Sequence, residues 1–372
     1  LRFLRFGCLA WGGPVAQIGM LKQELVEEER WISREHFNRV LGVYQVLPGP
    51  EAHELCVYFG MVACGRIGAV LAGLGFMLPG FLLMLLLSWL YVRFGIASPL
   101  FAVLFFGFKP AVAALIVRSV HRIASHALPN RWLWAIAFMT GVATALKVGF
   151  LISLAAAGLA YALVRRRELP PSPIHAALLL LPLAAPAVVL ATPSILALFG
   201  YGLRTGLLTF GGAYTAIPFL QHDAVEVGRW MTNAQFVDGL ALSGILPAPL
   251  IIFATFVGYL GGGLGGALAL TAGTFLPAFS FTILGHRLFE RLVRNPTIQT
   301  VLDGVTAGVV GLIAVTSAQI IWSALPASLP HLGLTGLIFA LALVVLYRWK
   351  SKLAVLAVVV GAGVLGTLSL LV

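Results

Sequence analysis

Apolar runs long enough to cross a bilayer recur along this chain. The plainest cover 67–92, 99–117, 264–285 and 353–372, each beyond the roughly 17 residues that a membrane helix needs. Two more, 133–146 and 149–164, are slightly short and need flanking residues to span. None alternates apolar and polar positions with period two, as a membrane β-barrel strand would. The pattern predicts an all-α polytopic membrane protein with about thirteen spans. They fall near 3–21, 34–63, 66–93, 98–120, 131–147, 149–165, 174–191, 194–219, 233–260, 263–286, 296–321, 331–347 and 352–371.

The chain repeats itself. "GCLAWGGPVAQI" from Gly7 answers "GLLTFGGAYTAI" from Gly206, 199 positions later. The same offset pairs Arg30-Trp31 with Arg229-Trp230, Ser33 with Thr232, and Phe37 with Phe236. It pairs Pro48-Gly49-Pro50 with Pro247-Ala248-Pro249, and after a one-residue slip Leu78-Pro79 answers Leu276-Pro277. Chance likeness between apolar segments is common, but one offset holding Gly-Gly, Arg-Trp and Pro-x-Pro together is not. Residues 1–165 therefore form a first repeat, 166–193 a linker with an extra span, and 194–372 a second repeat. The odd number of spans inverts the second repeat relative to the first, an architecture of secondary transporters.

Composition agrees. Hydrophobic residues make up 60% of the 372 and charged ones 10%, with mean hydropathy +1.00; a soluble domain has about 45–50% and about 25%. The net charge of +11 does not read as a nucleic-acid surface, because the basic residues sit in short loops between spans. Placing Arg165-Arg166-Arg167 inside also puts Arg118, Arg122, Arg131, Arg287, Arg291, Arg294 and the cluster at Arg348–Lys352 inside, as the positive-inside rule asks. The acidic loop at Glu24–Glu29 then falls outside. Cys8, Cys56 and Cys64 lack disulfide or metal spacing and read as small hydrophobes. No metal or cofactor is implied. His53-Glu54 begins like a zinc-protease helix, but the second histidine would be at Val57. No phosphate-binding loop is present. An enzyme is not expected.

The chemistry gathers at 45–60, "QVLPGPEAHELCVYFG". Segment 34–63 would be roughly 45 Å long as one helix. Pro48 and Pro50 remove backbone donors from its middle, and Gly49 admits conformations closed to other residues. A discontinuous helix or a re-entrant hairpin follows. Pro50 suits the first position of a new half-helix, whose N-terminus offers the amides of Glu51, Ala52 and His53 to an anion. Pro247-Ala248-Pro249 repeats the device from the other face. Gly12-Gly13 and Gly211-Gly212 either permit close helix packing or unwind the first span of each repeat, with Gln17, Thr209 and Thr215 as side-chain donors. Lys109 is the clearest charge inside a span, with Asp303 in the matching neighbourhood. It would supply the cation if it reaches Glu51 or Glu54. Glu51, His53, Glu54 and Asp303 are candidate proton carriers. Lys147 and Asp238 sit nearer span ends.

These motifs, with "ERWISREHF", "GRWMTNAQF", "LSGILPAPLIIFATFVGY" and "FLPAF", resemble the two-domain chromate ion transporter family over essentially the full chain. The resemblance implies an inner-membrane carrier that exports chromate on the proton-motive force and is inhibited by isosteric sulfate. It maps the family's Gly-Gly and Leu-Pro-x-Pro motifs onto Gly12, Gly13, Pro48, Gly49 and Pro50, and onto Gly211, Gly212, Pro247 and Pro249. Glu51-Ala52-His53-Glu54 departs from the small hydroxyl or amide residues that family members often carry there. Two acids repel a divalent oxyanion unless protonated or paired. The expected partners are the bilayer and a chromate- or sulfate-like oxyanion, and a homodimer is compatible with both. A passive anion channel and a membrane scaffold are the rival readings.

Overall fold

The computed structural model describes residues 1–11, 13–45, 47–94, 99–165, 193–209, 213–293, 295–323, 325, 328–349, 351 and 354–367. Among these the regular structure is helical. The first half contains α1 (Arg2–Cys8), α2 (Gly13–Leu21, continued by a π-turn at Lys22–Glu28), α3 (Arg34–Tyr44), α4 (Glu51–Phe94), α5 (Pro99–Ala127), α6 (Arg131–Ala145) and α7 (Phe150–Val164). The second contains α8 (Ile195–Leu208), α9 (Ala216–Gln221, continued by a π-turn at His222–Val227), α10 (Asn233–Gly244), α11 (Phe253–Val293), α12 (Pro296–Ser323), α13 (Leu329–Arg348) and α14 (Ala354–Gly366). The span expected at 174–191 lies outside the described residues.

Matched positions adopt matched backbone. Arg30 and Arg229 both take positive φ, 56° and 52°. Each precedes a capped helix: Ser33 Oγ accepts from the His36 amide, and Thr232 Oγ1 from the Gln235 amide. Capping satisfies donors that a helix start leaves free. Glycines at positive φ turn the chain within α4 (Gly65, 61°) and within α11 (Gly263, 58°). A side chain would be strained in that region. Each long helix is thus two helices folded against each other, Gly60 meeting Gly68 and Gly258 meeting Gly266 without intervening side chains.

The segments with internal breaks double back instead of running straight. Arg2 pairs with Glu29 and Arg5 with Glu24, so α2 returns alongside α1. Arg204 pairs with Asp223 in the same way between α8 and the π-turn after α9. Helix α3 lies beside the start of α4: His36 Nε2 and Tyr58 Oη are 2.7 Å apart, and Phe37 stacks on Phe59. In the second half Trp230 Nε1 donates to the Val257 carbonyl, and Phe236 packs edge-on against Phe253. A straight helix over 34–63 would hold His36 and Tyr58 about 33 Å apart.

The halves interlock. Helix α5 packs against α13 and α14, and α12 packs against α6 and α7. Glycines set these crossings: Gly107 meets the Ala362 carbonyl, and Gly311 meets the Ala137 carbonyl. Small residues at such points let backbones approach. Large apolar side chains face outward on α4, α6 and α13, among them Ile67 at 75% exposure and Phe138 at 70%. Five described helices are long and apolar enough to cross a bilayer. An apolar surface of this extent belongs to a multi-pass membrane protein.

Candidate functional site at the meeting of the broken helices

The proline break of the first half ends α3 at Tyr44 and restarts the chain as α4 at Glu51. Gly49 sits in the turn with φ 152°. Its amide donates to the Thr209 carbonyl at 2.8 Å, where α8 ends at the second Gly-Gly motif. The turn of one half is thereby tied to the turn of the other. The second proline break meets the first half as well: Ala248 packs directly on Gly80, one residue after Pro79. Gly7 and Gly206 press on the regions of Pro79 and Pro277 from α1 and α8. Residues of both proline breaks and of α1 and α8 therefore meet one another or press on α4 and α11 near Pro79 and Pro277.

At the start of α4 the amides of His53 and Glu54 both turn back to the Pro50 carbonyl, at 2.8 and 3.1 Å. The His53 amide is thus engaged, contrary to the sequence expectation, because the first turn tightens to a 3₁₀ bond. The amides of Glu51 and Ala52 carry no hydrogen bond among the described residues. In the second half Ile252 bonds back to Pro249 and Ala248 to Leu246, at 2.9 Å each. Among the described residues both half-helix starts keep unbonded amides, and the α4 dipole adds positive potential there.

The acidic motif divides its members. Glu51 is half-buried, and the cation that acts on it is Arg122 of α5. Glu54 is fully buried against Gly49, where an added Cβ would lie 2.7 Å from Glu54 Oε1. Neither Glu54 oxygen has a hydrogen-bond partner. His53 is fully buried between Phe275 and Phe279, with ring centroids at 4.9 and 4.8 Å. Buried polar groups without partners are rare and costly, so Glu54 is held in place by the packing around it.

The other candidates scatter. Gly13 opens α2 at φ 77°. Buried Gln17 donates through Nε2 to the Ala10 carbonyl at 2.8 Å, leaving Oε1 unpartnered. Thr209 and Thr215 are fully buried. Gly12, Gly211 and Gly212 lie outside the described residues. Lys109 acts on Asp238, not on Glu51, Glu54 or Asp303. Asp303 is exposed on α12 and interacts with Arg165. Lys147 stands exposed in the α6–α7 turn. Sequence reasoning misassigned these pairs because it has no measure of which faces of α5, α10 and α12 turn toward each other. It also passed over Arg5–Glu24 and Arg204–Asp223, although the 199-residue offset superimposes them.

The chromate transporter family model matches residues 1–163 and 196–367. A chromate transport protein of Pseudomonas aeruginosa is 53% identical, over 99% of this chain and 91% of its own length. One of Cupriavidus metallidurans is 34% identical over 98% and 90%. A probable chromate transport protein of Synechococcus elongatus is 33% identical over 84% and 81%. No solved structure matches the chain.

Proposed function

Because the chain belongs to the chromate transporter family, we propose that it is a secondary carrier of a tetrahedral oxyanion, chromate or a sulfate-like ion. It works in the cell membrane and exports the anion on the proton-motive force. The observation that carries this reading is the Gly49–Thr209 bond, which joins the breaks of two halves beside unbonded amides at the start of α4. Amides at a helix start bind oxyanions without needing a fixed positive charge. The anion sits among Gly49, Pro50, Glu51 and Ala52 from the first half, and Pro247, Ala248 and Pro249 from the second. Gly13, Gln17 and Thr215 line the remaining sides.

The membrane path follows from the doubling back. Segments 2–29, 34–63, 195–227 and 233–261 enter the bilayer and return, so four of the thirteen expected spans are re-entrant. The other expected spans among the described residues cross. Phe106 packs on His331, and His121 Nδ1 lies 2.7 Å from Tyr347 Oη. Both contacts pair start with start and end with end, so α5 and α13 run parallel. Helix α6 turns back from α5 and so opposes α13, its counterpart in the repeat, which supports opposed entry of the two hairpin pairs and an inverted repeat. Irregular backbone at membrane depth is tolerated where it lines a polar cavity. The acidic turn at Glu24–Glu29 then shares the side of the basic loops, with Arg2 and Arg5 compensating it. The positive-inside rule counts Lys and Arg, not net charge, and permits this.

Glu51 and Glu54 supply the coupling. A carboxylate beside the anion must be neutralised before a divalent ion can approach, so proton occupancy and anion occupancy are linked at this point. His53 is a further proton acceptor in the same packing. The test is flux of labelled chromate, sulfate and molybdate into proteoliposomes across imposed pH and voltage gradients. Saturable chromate flux, driven uphill by a proton gradient, is expected. Flux that ignores the gradient and shows no counterflow would make the protein a passive channel.

A further inference from the structure

Away from the broken helices, a cavity of about 500 Å³ opens between α5, α10, α12 and α13. That volume lies within the range of small-ligand sites, about 300–1,000 Å³. Its walls are mainly apolar, with Phe106 and Phe339 on opposite helices. Three polar side chains interrupt them: Lys109, Asn233 and Thr335. Asn233 Oδ1 accepts from Gln221 Nε2 at 3.1 Å, which leaves its NH₂ group to donate. An ammonium, an amide NH₂ and a hydroxyl in an apolar chamber form a donor set for an anion. Low polarity in the walls strengthens that attraction.

Asp238 stands behind this chamber. It shares the α10 face of the wall residue Ala234, four positions earlier. It is only 1% exposed. Tyr91 Oη donates to its Oδ2 at 3.0 Å, while Oδ1 has no hydrogen-bond partner. Lys109 is the cation acting on this carboxylate. The ammonium thus lines the donor-bearing chamber and stands in the field of a buried carboxylate with which it makes no ion pair among the described residues. A buried acid that retains a free oxygen restrains such a cation without saturating it.

Resting on the reading of the protein as an oxyanion carrier, we infer that this chamber is a second anion subsite, in which an entering oxyanion competes with Asp238 for Lys109. Asp238 is a positioning residue: it never touches the anion, and it sets how readily Lys109 is released to it. Tyr91 moderates the competition by occupying one oxygen of the carboxylate. The two subsites place the anion first among Lys109, Asn233 and Thr335, then at the unbonded amides of α4.

The experiment is concentration-dependent chromate flux in proteoliposomes, with KM and kcat separated. Lys109→Gln should raise KM about tenfold or more. Asp238→Asn should do the opposite, lowering KM several-fold while slowing kcat, because the anion leaves Lys109 less readily. The double variant should match Lys109→Gln in KM, since Asp238 acts only through Lys109. Tyr91→Phe keeps every charge and frees Asp238 to hold Lys109 harder, so KM should rise severalfold; it serves where Asp238→Asn folds poorly. An unchanged KM in Asp238→Asn, or a rise equal to that of Lys109→Gln, overturns the inference, as does an unchanged KM in Tyr91→Phe. If wild-type protein carries no oxyanion, the carrier reading itself falls. Normal wild-type flux with the wrong KM pattern removes only the second subsite.

Discussion

The amide of Gly49 donates to the carbonyl of Thr209 at 2.8 Å, binding the proline turn of one half to the end of α8 in the other. These residues are 160 positions apart in the chain (209 − 49), and the bond closes the centre of the molecule. Gly49→Ala forces a side chain into left-handed backbone and toward Glu54. A loss on the order of 1–3 kcal/mol is expected, together with loss of flux. Thermal unfolding in detergent, read beside chromate transport, checks both effects. A fully stable, fully active Gly49→Ala would deny the turn its role.

The matched ion pairs should differ in worth. Asp223 is 1% exposed and Arg204 14%, whereas Arg5 is 59% exposed. Arg204 also lies over the rings of Phe150 and Tyr201. Breaking the buried pair with Arg204→Ala should cost about 3–5 kcal/mol, because Asp223 is left charged and alone. Arg5→Ala in the exposed pair should cost roughly 0–1 kcal/mol. Melting temperatures of the two purified variants make the comparison directly.

Interlocking of the halves predicts equivalent damage at distant glycines. Gly107 meets α14 and Gly311 meets α6 through backbone contacts. Leucine at either position must push two helices apart, at a cost of at least about 1–3 kcal/mol. Both variants should lose monodisperse protein on size-exclusion chromatography to a similar degree. Normal behaviour of either one would show that the crossing can relax.

The proposed inverted entry of the hairpins has a labelling consequence. Cys64 is exposed beside the Gly65 turn. A membrane-impermeant maleimide should reach it from the side that carries Arg348. A single cysteine placed at exposed Glu226, in a variant lacking the native three, should react only from the opposite side. Labelling of both from one side would refute the inversion.

Glu51 lies at the start of α4, acted on by Arg122. Glu51→Gln removes a titrating group beside the proposed anion site while keeping its shape. Flux should persist but lose much of its dependence on pH, measured in proteoliposomes from pH 5 to 8. A pH profile identical to wild type would exclude Glu51 from coupling and leave Glu54 to be tested alone.

Much of this was written in the chain. Apolar run length fixed the solvent, since no soluble core needs so much apolar surface. The 199-residue offset marked matched turns, and Arg30 and Arg229 do share their unusual φ. Pro48, Gly49 and Pro50 announced a break, because missing donors and a free φ are local properties that need no partner. The direction taken after the break was not local. Whether 34–63 continues or returns depends on what its two pieces can pack against, and packing of α3 on α4 through Phe37 and Phe59 decides it. The same holds for charge: sequence counts acids and bases, but only the rotation of α5 against α10 gives Lys109 to Asp238 and leaves Arg122 to Glu51. Backbone chemistry acts over a few bonds and is legible in one dimension. Contacts between faces of different helices depend on the whole fold, and tertiary structure alone assigns them.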